Sequence, residues 1–545
     1  MLDSFVVPAW IDKALRQLAN TDLADIAVVV LDERAPRSVS LATRLRERFP
    51  RLLYDLYTRW DRRLFGSTDD AFQPVDARNR FTCEALSISR ESAGRRRAFA
   101  RLGELALDVL LSFASTDTDL ELARTARYGV WSFPWNDESG LGFFRPLADG
   151  KHVVCTSLQM LIDDSESTRA IYRSFSATDP ISLHRTRNDA HWKAADFPIR
   201  RIRALPRLVD DQAERIASNN GEPEGARASG RIPSNLEMAG FLLRLGMRMT
   251  RRKVPNLLYA QQWFVAYRRR EAPGALPLPD MAGFTLVAPP TDRFYADPFL
   301  LKGPDGRRYL FFEDFRRIDG KALISRVELL PDGTISAPRV VLEREYHLSY
   351  PFVFFWRGEP YLLPETAEAR RLELYRAVDF PDRWELDRIL MEDTPVFDAT
   401  LLEHGGKAWM FANLATSEGK PSDELSIFWA DSLDGEWRPH ALNPVLSDVR
   451  CARPAGRLIV RGDRLIRPAQ DGSVRYGYGL VFREIRELSP DSFQEIELGR
   501  ITPGWLKGNL STHHYDADDE IEVVDGRLLT PRWRSRKTHV LRSLP

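Results

Sequence analysis

Cysteine is almost missing from these 545 residues: Cys83, Cys155 and Cys451 stand far apart, with no CxxC spacing among them. That excludes a disulfide framework and a cysteine-based zinc site, and it suits a reducing compartment. Also missing are an N-terminal leader of basic-then-apolar character and any run of about 18 apolar residues. The expectation is a cytoplasmic chain that touches a membrane at its periphery and does not cross it. Net charge is missing as well, since Lys+Arg 78 balances Asp+Glu 78. No overall field draws the chain to nucleic acid, and no nucleic-acid partner is expected. The basic residues are mostly arginine, which suits anion recognition and equally a genome-wide codon bias. No cofactor and no metal are expected.

What the chain does have is repetition. The stretch Phe294 to Asp314 (FYADPFLLKGPDGRRYLFFED) lays out a polar or Pro-flanked start, an apolar strand, a Gly-centred turn and a second apolar strand. Further copies run from Pro351 through Gly358 to Leu363, and from Asp398 through Gly405-Gly406 to Phe411. Looser copies run from Arg453 through Gly462 to Arg467, and from His513 through Gly526 to Leu529. A period of roughly 50 residues built from short strands marks a β-propeller, whose units cannot bury their faces alone. Five copies predict five blades. Residues at the starts of the innermost strands would face the central mouth, which gives the candidates Asp297, His347, Glu365, Asp398, Arg453, Gln470, Asp471, His513 and His514. The plainer alternatives are that an Asp before Pro forms a turn and that a carboxylate there ties neighbouring blades through backbone N–H groups.

The N-terminal part reads differently. Pro8 to Leu18, Ser40 to Arg48, Leu52 to Arg63 and Leu120 to Ala126 have helical patterning. Asp25 to Asp32, Ala106 to Phe113, Tyr128 to Phe133 and Val153 to Ile162 read as strands, the first of them buried and parallel. Strands alternating with helices predict a doubly wound α/β domain, with its site beyond the strand ends near Ser112 to Thr116 and Ser132 to Asp137. Asp210 to Ser234 is polar and reads as a linker. Asn235 to Lys253 reads as a helix with an apolar face and a basic end, which suits either a membrane surface or the helix dipole. The domains expected are residues 1–205, a linker and basic amphipathic helix at 206–260, and a propeller at 261–545.

Two resemblances add to this. Asp108 to Ser112 followed by Gly129 to Pro134 resembles the core of the formyltransferase fold, where a strand ends in Asn-x-His and a later Asp completes the catalytic set. The matching positions here are Ser132, Pro134 and Asp163. Proline cannot carry a proton, so the resemblance implies a degenerate site. It also implies a first strand ahead of Pro8, where only Met1 to Val7 stand. In the second half, FYADPFLL, HLSYPFVFFWRGEPYLLPET, LYRAVDFPDRW, CARPAGRLI and RLIRPAQDGSVRYG resemble the N-terminal propeller of glucosamine inositolphosphorylceramide transferases. More distantly they resemble five-bladed glycoside hydrolases of the arabinanase, invertase and levansucrase type. Bacterial chains that join a formyltransferase-like domain to this propeller match the overall order.

The hydrolase resemblance implies catalytic roles for Asp297 and Asp398, with Glu365 as a substitute acid. Arg453 stands before Pro454 where those hydrolases place a Glu before Pro, and arginine is no general acid. With Arg467 expected beside it, Arg453 suggests an anionic ligand group. The expected function is a sugar-transferase-type role in glycan or glycolipid biosynthesis, with a glycan or glycolipid as partner. A glycoside hydrolase and a noncatalytic glycan-binding scaffold are the alternatives.

Overall fold

The structure is a computed structural model that describes residues 1–33, 51–88, 92–114, 120–135, 140–161, 168–205, 231–270, 281–415 and 423–532. It divides into two compact units, Met1–Thr250 and Arg251–Pro545. The segment 40–48, Asp163, Asp164, Thr116 and most of the expected linker lie outside the described residues.

In the N-terminal unit the order is β1 (Val6–Pro8), α1 (Ala9–Ala19), β2 (Val28–Asp32), α2 (Leu52–Phe65), β3 (Pro74–Asp76), β4 (Glu84–Ile88), α3 (Ser92–Glu104), β5 (Leu110–Ser112), α4 (Leu120–Ala123) and β6 (Val130–Ser132). There follow α5 (Leu141–Asp149), β7 (Val153–Leu161), β8 (Arg169–Ala177), α6 (Leu183–Ala194), α7 (Phe197–Ala204) and α8 (Asn235–Leu258), whose last eight residues lie past the unit boundary at Thr250. Strands β2 and β4 pair in parallel, as do β5 and β6. The expectation of a doubly wound sheet is corrected at β7 and β8, which run antiparallel to their neighbours. Apolar patterning marks a strand as buried but carries no direction. The backbone of Met1 and Leu2 runs between β2 and β5: Leu2 N–H donates to Val30 O at 2.8 Å, and Phe113 N–H donates to Met1 O at 3.0 Å. A core of Trp10, Trp131, Trp135, Phe143 and Phe197 fills the space under the helices.

The C-terminal unit is β-rich. Its strands are β9 (Tyr259–Arg269), β10 (Thr285–Val287), β11 (Arg293–Lys302), β12 (Arg308–Arg316), β13 (Lys321–Leu329), β14 (Arg339–Leu342), β15 (Ser349–Trp356), β16 (Glu359–Glu365), β17 (Leu372–Asp379) and β18 (Arg383–Met391). After these come β19 (Val396–His404), β20 (Lys407–Leu414), β21 (Glu424–Ala430), β22 (Arg438–Pro439), β23 (Leu446–Ser447), β24 (Ile459–Arg461), β25 (Arg464–Asp471), β26 (Gly479–Leu488), β27 (Phe493–Ile501), β28 (Tyr515–Ala517) and β29 (Ile521–Pro531). They form five antiparallel sheets: β11 to β14, β15 to β18, β19 to β22 with β23 added, β24 to β27, and one ordered β10-β9-β29-β28. Each sheet except the last is built from consecutive strands. The last takes β9 and β10 from the start of the unit and β28 and β29 from its end, zipped from Tyr259↔Pro531 to Arg269↔Ile521. Aromatic and branched residues on alternate faces, such as Phe299, Phe311, Phe352 and Leu362, bury each sheet against its neighbours.

Candidate functional site

The first strands of three sheets share one irregularity. Ladder pairing breaks between Ala296 and Phe299 on β11, between Ser349 and Phe352 on β15, and between Phe397 and Thr400 on β19. Within each break one residue takes a left-handed backbone: Asp297 at φ 51, Tyr350 at φ 44 and Asp398 at φ 51. L-residues avoid this region by about 1–2 kcal/mol, and such bulges re-aim a side chain next to functional sites. Opposite each break the second strand offers a polar residue: Glu313 faces Ala296, Glu365 faces Ser349 and Asn413 faces Phe397. In the fourth sheet Gln470 N–H donates to Arg453 O at 2.8 Å. In the fifth, His514 precedes the Tyr515↔Val524 pair and so lies opposite Asp525.

These residues meet. Asp398 accepts Arg453 Nε on Oδ2 at 2.5 Å and Arg453 Nη2 on Oδ1 at 3.2 Å, and its Oδ2 also accepts Gln470 Nε2 at 3.0 Å. Glu365 Oε2 lies 3.9 Å from Arg453 Nη2 and accepts the Asp398 N–H at 3.3 Å. Asp297 Oδ1 lies 3.6 Å from His513 Nε2 and 3.7 Å from His514 Nδ1, while its Oδ2 accepts the Tyr350 N–H at 3.3 Å. Asp525 accepts the N–H groups of His513 and His514 on Oδ1, at 2.8 and 3.1 Å, and its Oδ2 lies 2.5 Å from His513 Nδ1. The Tyr350 hydroxyl bonds to Thr400 Oγ1 at 2.7 Å and accepts the Gly456 N–H at 2.8 Å. The carboxylates thus also tie neighbouring sheets through backbone N–H groups, the plainer role foreseen for them. Aromatic rings border the cluster: Trp263 lies 4.3 Å from the His513 ring, and the exposed Tyr476 ring lies 5.2 Å from the Arg453 guanidinium.

Burial and crowding of like charge set the protonation. Burial, with Asp398 and Asp525 nearby, pushes the Asp297 carboxyl up to about 7 against the pull of His513 and Arg453. Burial together with the surrounding carboxylates raises Glu313 and Glu365 well above the usual range. Burial opposes ionisation of Asp525 too, but His513 outweighs it and holds that carboxyl below its ordinary value. His513 is correspondingly raised, Asp525 overcoming the effect of burial. Burial drives His514 down to about 3, so its imidazole is neutral. The cluster therefore combines carboxyls raised toward the protonated form, Asp525 held toward the ionised form and a carboxyl titrating near neutrality, the mixture that acid–base chemistry uses. Asp297, His513 and Asp525 also each present one ligand atom within 4.8 Å of the others, a set able to hold a cation.

Of the residues named from sequence, Asp297, Glu365, Asp398, Arg453, Gln470, His513 and His514 come together. His347 sits at the margin, half-buried, its Nε2 3.5 Å from Glu313 Oε1. Asp471 is corrected: one oxygen accepts the Ser473 N–H at 3.0 Å and the other Arg500 Nη1 at 3.0 Å, because the next residue along a strand points to the opposite face from Gln470. Arg467 does not stand beside Arg453 either. It is buried against Glu495, with Nη2 at 2.7 Å from Oε1 and Arg483 completing the pair. The anionic ligand group expected from a free Arg453 also loses its basis, since Asp398 occupies the guanidinium through two hydrogen bonds. Glu313, Tyr350 and Asp525 were missed. The signal that finds Glu313 and Asp525 is register: a polar residue recurs on each second strand, as Glu313, Glu365, Asn413, Gln470 and Asp525.

In the N-terminal unit Ser132 ends β6 and is half-buried, as is Pro134. Phe133 and Trp135 on either side of Pro134 are core residues. The nearby imidazole is His191, 4.9 Å from the Trp135 ring, and burial takes it down to about 3. It is no substitute for the missing histidine.

Residues 272–516 match the family model described as glucosamine inositolphosphorylceramide transferase 1, N-terminal. Glucosamine inositolphosphorylceramide transferase 1 of Arabidopsis thaliana is 34% identical over 268 residues, which cover 47% of this chain and 35% of that protein. The protein of the same name from Oryza sativa subsp. japonica is 34% identical over 247 residues, covering 43% of this chain and 33% of that one. Among solved structures, an exo-beta-1,3-galactanase from Clostridium thermocellum aligns at 13% identity and TM-score 0.33, covering 43% of this chain and 59% of its own. An alpha-L-arabinanase of Cellvibrio cellulosa aligns at 14% identity and TM-score 0.29, covering 37% and 77%. The chain spans about a third of the length of the curated relatives it matches, and the part similar to the N-terminal family model holds Asp297, Glu313, Glu365 and Asp398 of the cluster.

Proposed function

We propose that the five sheets are the blades of a five-bladed propeller, that its mouth binds a sugar, and that the chain serves sugar transfer in glycan or glycolipid biosynthesis. The observation that carries this is the cluster itself: three left-handed bulges deliver Asp297, Tyr350 and Asp398 to one place, bordered by an exposed aromatic ring. The match of residues 272–516 to the transferase family supports it. With five carboxyl groups facing Arg453 and His513, a neutral or amine-bearing sugar suits the site better than an anion. Asp297, with a carboxyl near neutrality, is the candidate general base. The test is transfer from nucleotide-activated sugars, a glucosamine derivative among them, to inositol phospholipid vesicles. Asp297→Asn is expected to lower turnover by at least about 100-fold; turnover that survives the substitution overturns the assignment.

A glycoside hydrolase is the second reading, favoured by Glu313 and Glu365, both raised well above the usual carboxyl range, standing in one cluster with Asp398, since glycoside cleavage needs a carboxylic acid beside a second carboxyl group. Release of aryl leaving groups from reporter glycosides would select it. Saturable sugar binding without turnover in either assay would select a scaffold. The N-terminal unit is proposed to be formyltransferase-like in fold and inert in formyl transfer, working in the cytoplasm with the rest of the chain. No formylation of sugar amines from a folate donor is expected, and measurable turnover by the full chain refutes this.

A further inference from the structure

Helix α8 carries two apolar faces. Met238, Phe241 and Leu245 are buried, and Phe241 packs 5.2 Å from Tyr57 and 5.0 Å from Phe144 by ring centres. That face explains why the helix docks on its own unit, and Arg248 secures it by donating to Leu147 O at 2.7 Å. The opposite face is apolar and open to solvent: Leu236 is 85% exposed, Leu243 68% and Leu257 75%, with Met247, Val254 and Leu258 also exposed. At about 100° per residue these six fall within an arc of roughly 100°, a continuous stripe along the helix. Thr250 is the polar residue within that arc.

Basic residues edge the stripe. Arg244 and Arg251 flank one side of it and Lys253 the other, whereas Arg252 lies on the far side of the helix; the three flanking cations are exposed, with no ion-pair partner among the described residues. The helix holds one acidic residue, Glu237, and Arg231 engages it at 2.6 Å. A large apolar face flanked by cations, on a helix that cannot span a bilayer, is the pattern of an interfacial helix. The stretch 211–230 ahead of the helix is a poor cover for it, holding one large apolar side chain, Ile216. A second copy would bring the same cations against themselves.

We propose that α8 docks the chain on the surface of a bilayer with anionic headgroups, the leucines entering the acyl boundary and Arg244, Arg251 and Lys253 engaging the headgroups. This stands independently of the chemistry assigned to the propeller. The full chain is expected to float with vesicles of phosphatidylcholine and phosphatidylglycerol, to release as salt is raised, and to bind phosphatidylcholine alone weakly. Leu243→Glu with Met247→Glu is expected to abolish flotation while leaving the melting temperature and sugar binding unchanged, since both side chains are exposed. Arg244→Ala and Arg251→Ala are expected to weaken binding by about fivefold each. Failure of the wild-type chain to float with anionic vesicles overturns the proposal, as does flotation that survives the double glutamate substitution. Conversion of a sedimenting dimer to a monomer by those glutamates would assign the face to a second copy and also overturn it.

Discussion

Asp398→Ala is expected to destabilise the C-terminal unit by about 3–5 kcal/mol, the loss typical of a buried ion pair deprived of one partner. Arg453 is too deeply enclosed to regain water, its side chain being 11% exposed. After the substitution it would keep the ring of Tyr476 and a Glu365 oxygen 3.9 Å away. Glu365 would then ionise to replace the lost charge, which softens the loss and lowers the Glu365 pKa. Chemical denaturation of Asp398→Ala beside Asp398→Ala/Arg453→Met checks this, because the double variant removes the stranded cation and should recover much of the deficit. If both variants are equally unstable, the loss comes from the cavity and not from charge.

Asp297→Asn is expected to stabilise the protein on the alkaline side. The Asp297 carboxyl has a folded pKa of about 7 against an ordinary value of 3.8. Between those values the folded state holds a proton that the unfolded chain has given up, so stability falls as pH rises across the window. Below about 4 both states are protonated and the penalty vanishes; above 7 it is complete. Three units correspond to about 4 kcal/mol as an upper figure, so a gain of the order of 2–4 kcal/mol is expected at pH 8 and none at pH 4. His513 acts in the same direction, since its raised pKa stabilises the fold at low pH and that contribution is lost as pH rises through the folded value. Melting temperatures of wild type and variant across pH should therefore converge in acid and diverge above neutrality. Parallel curves would mean that Asp297 is ionised throughout.

Much of this was legible in the residues. The repeat from Phe294 onward located the first strand of four sheets and the last two strands of the fifth, because a polar start, an apolar run and a glycine turn follow from how a strand buries two faces and reverses. Asp297, Asp398 and Arg453 stood out as polar residues at strand starts. Tyr350 did not, because a tyrosine before proline in SYPFVFF reads as one more apolar strand residue, and only the bulge reveals that it points inward. Asp525 and Glu313 were hidden on second strands, where an acid beside an apolar run looks like a strand end. Arg467 and Asp471 misled for a shared reason: nearness to Gln470 in sequence is nearness on alternating faces of β25. The antiparallel course of β7 and β8 depends on pairing between distant segments, which composition does not encode.

The sheet shared by both ends of the C-terminal unit has a consequence for how the protein is made. During synthesis β9 leaves the ribosome first of all the strands of this unit, while its partner β29 leaves last. Until then β9 presents an unpaired edge with Trp263, Phe264, Val265 and Tyr267 along it, a template for pairing with any other nascent chain. The four intervening sheets can form as local units, but the fifth waits for the final strand. A ribosome that stalls before Ile521 thus releases a chain whose four finished sheets flank an open sticky strand, and such fragments should engage chaperones or aggregate while the completed protein does not.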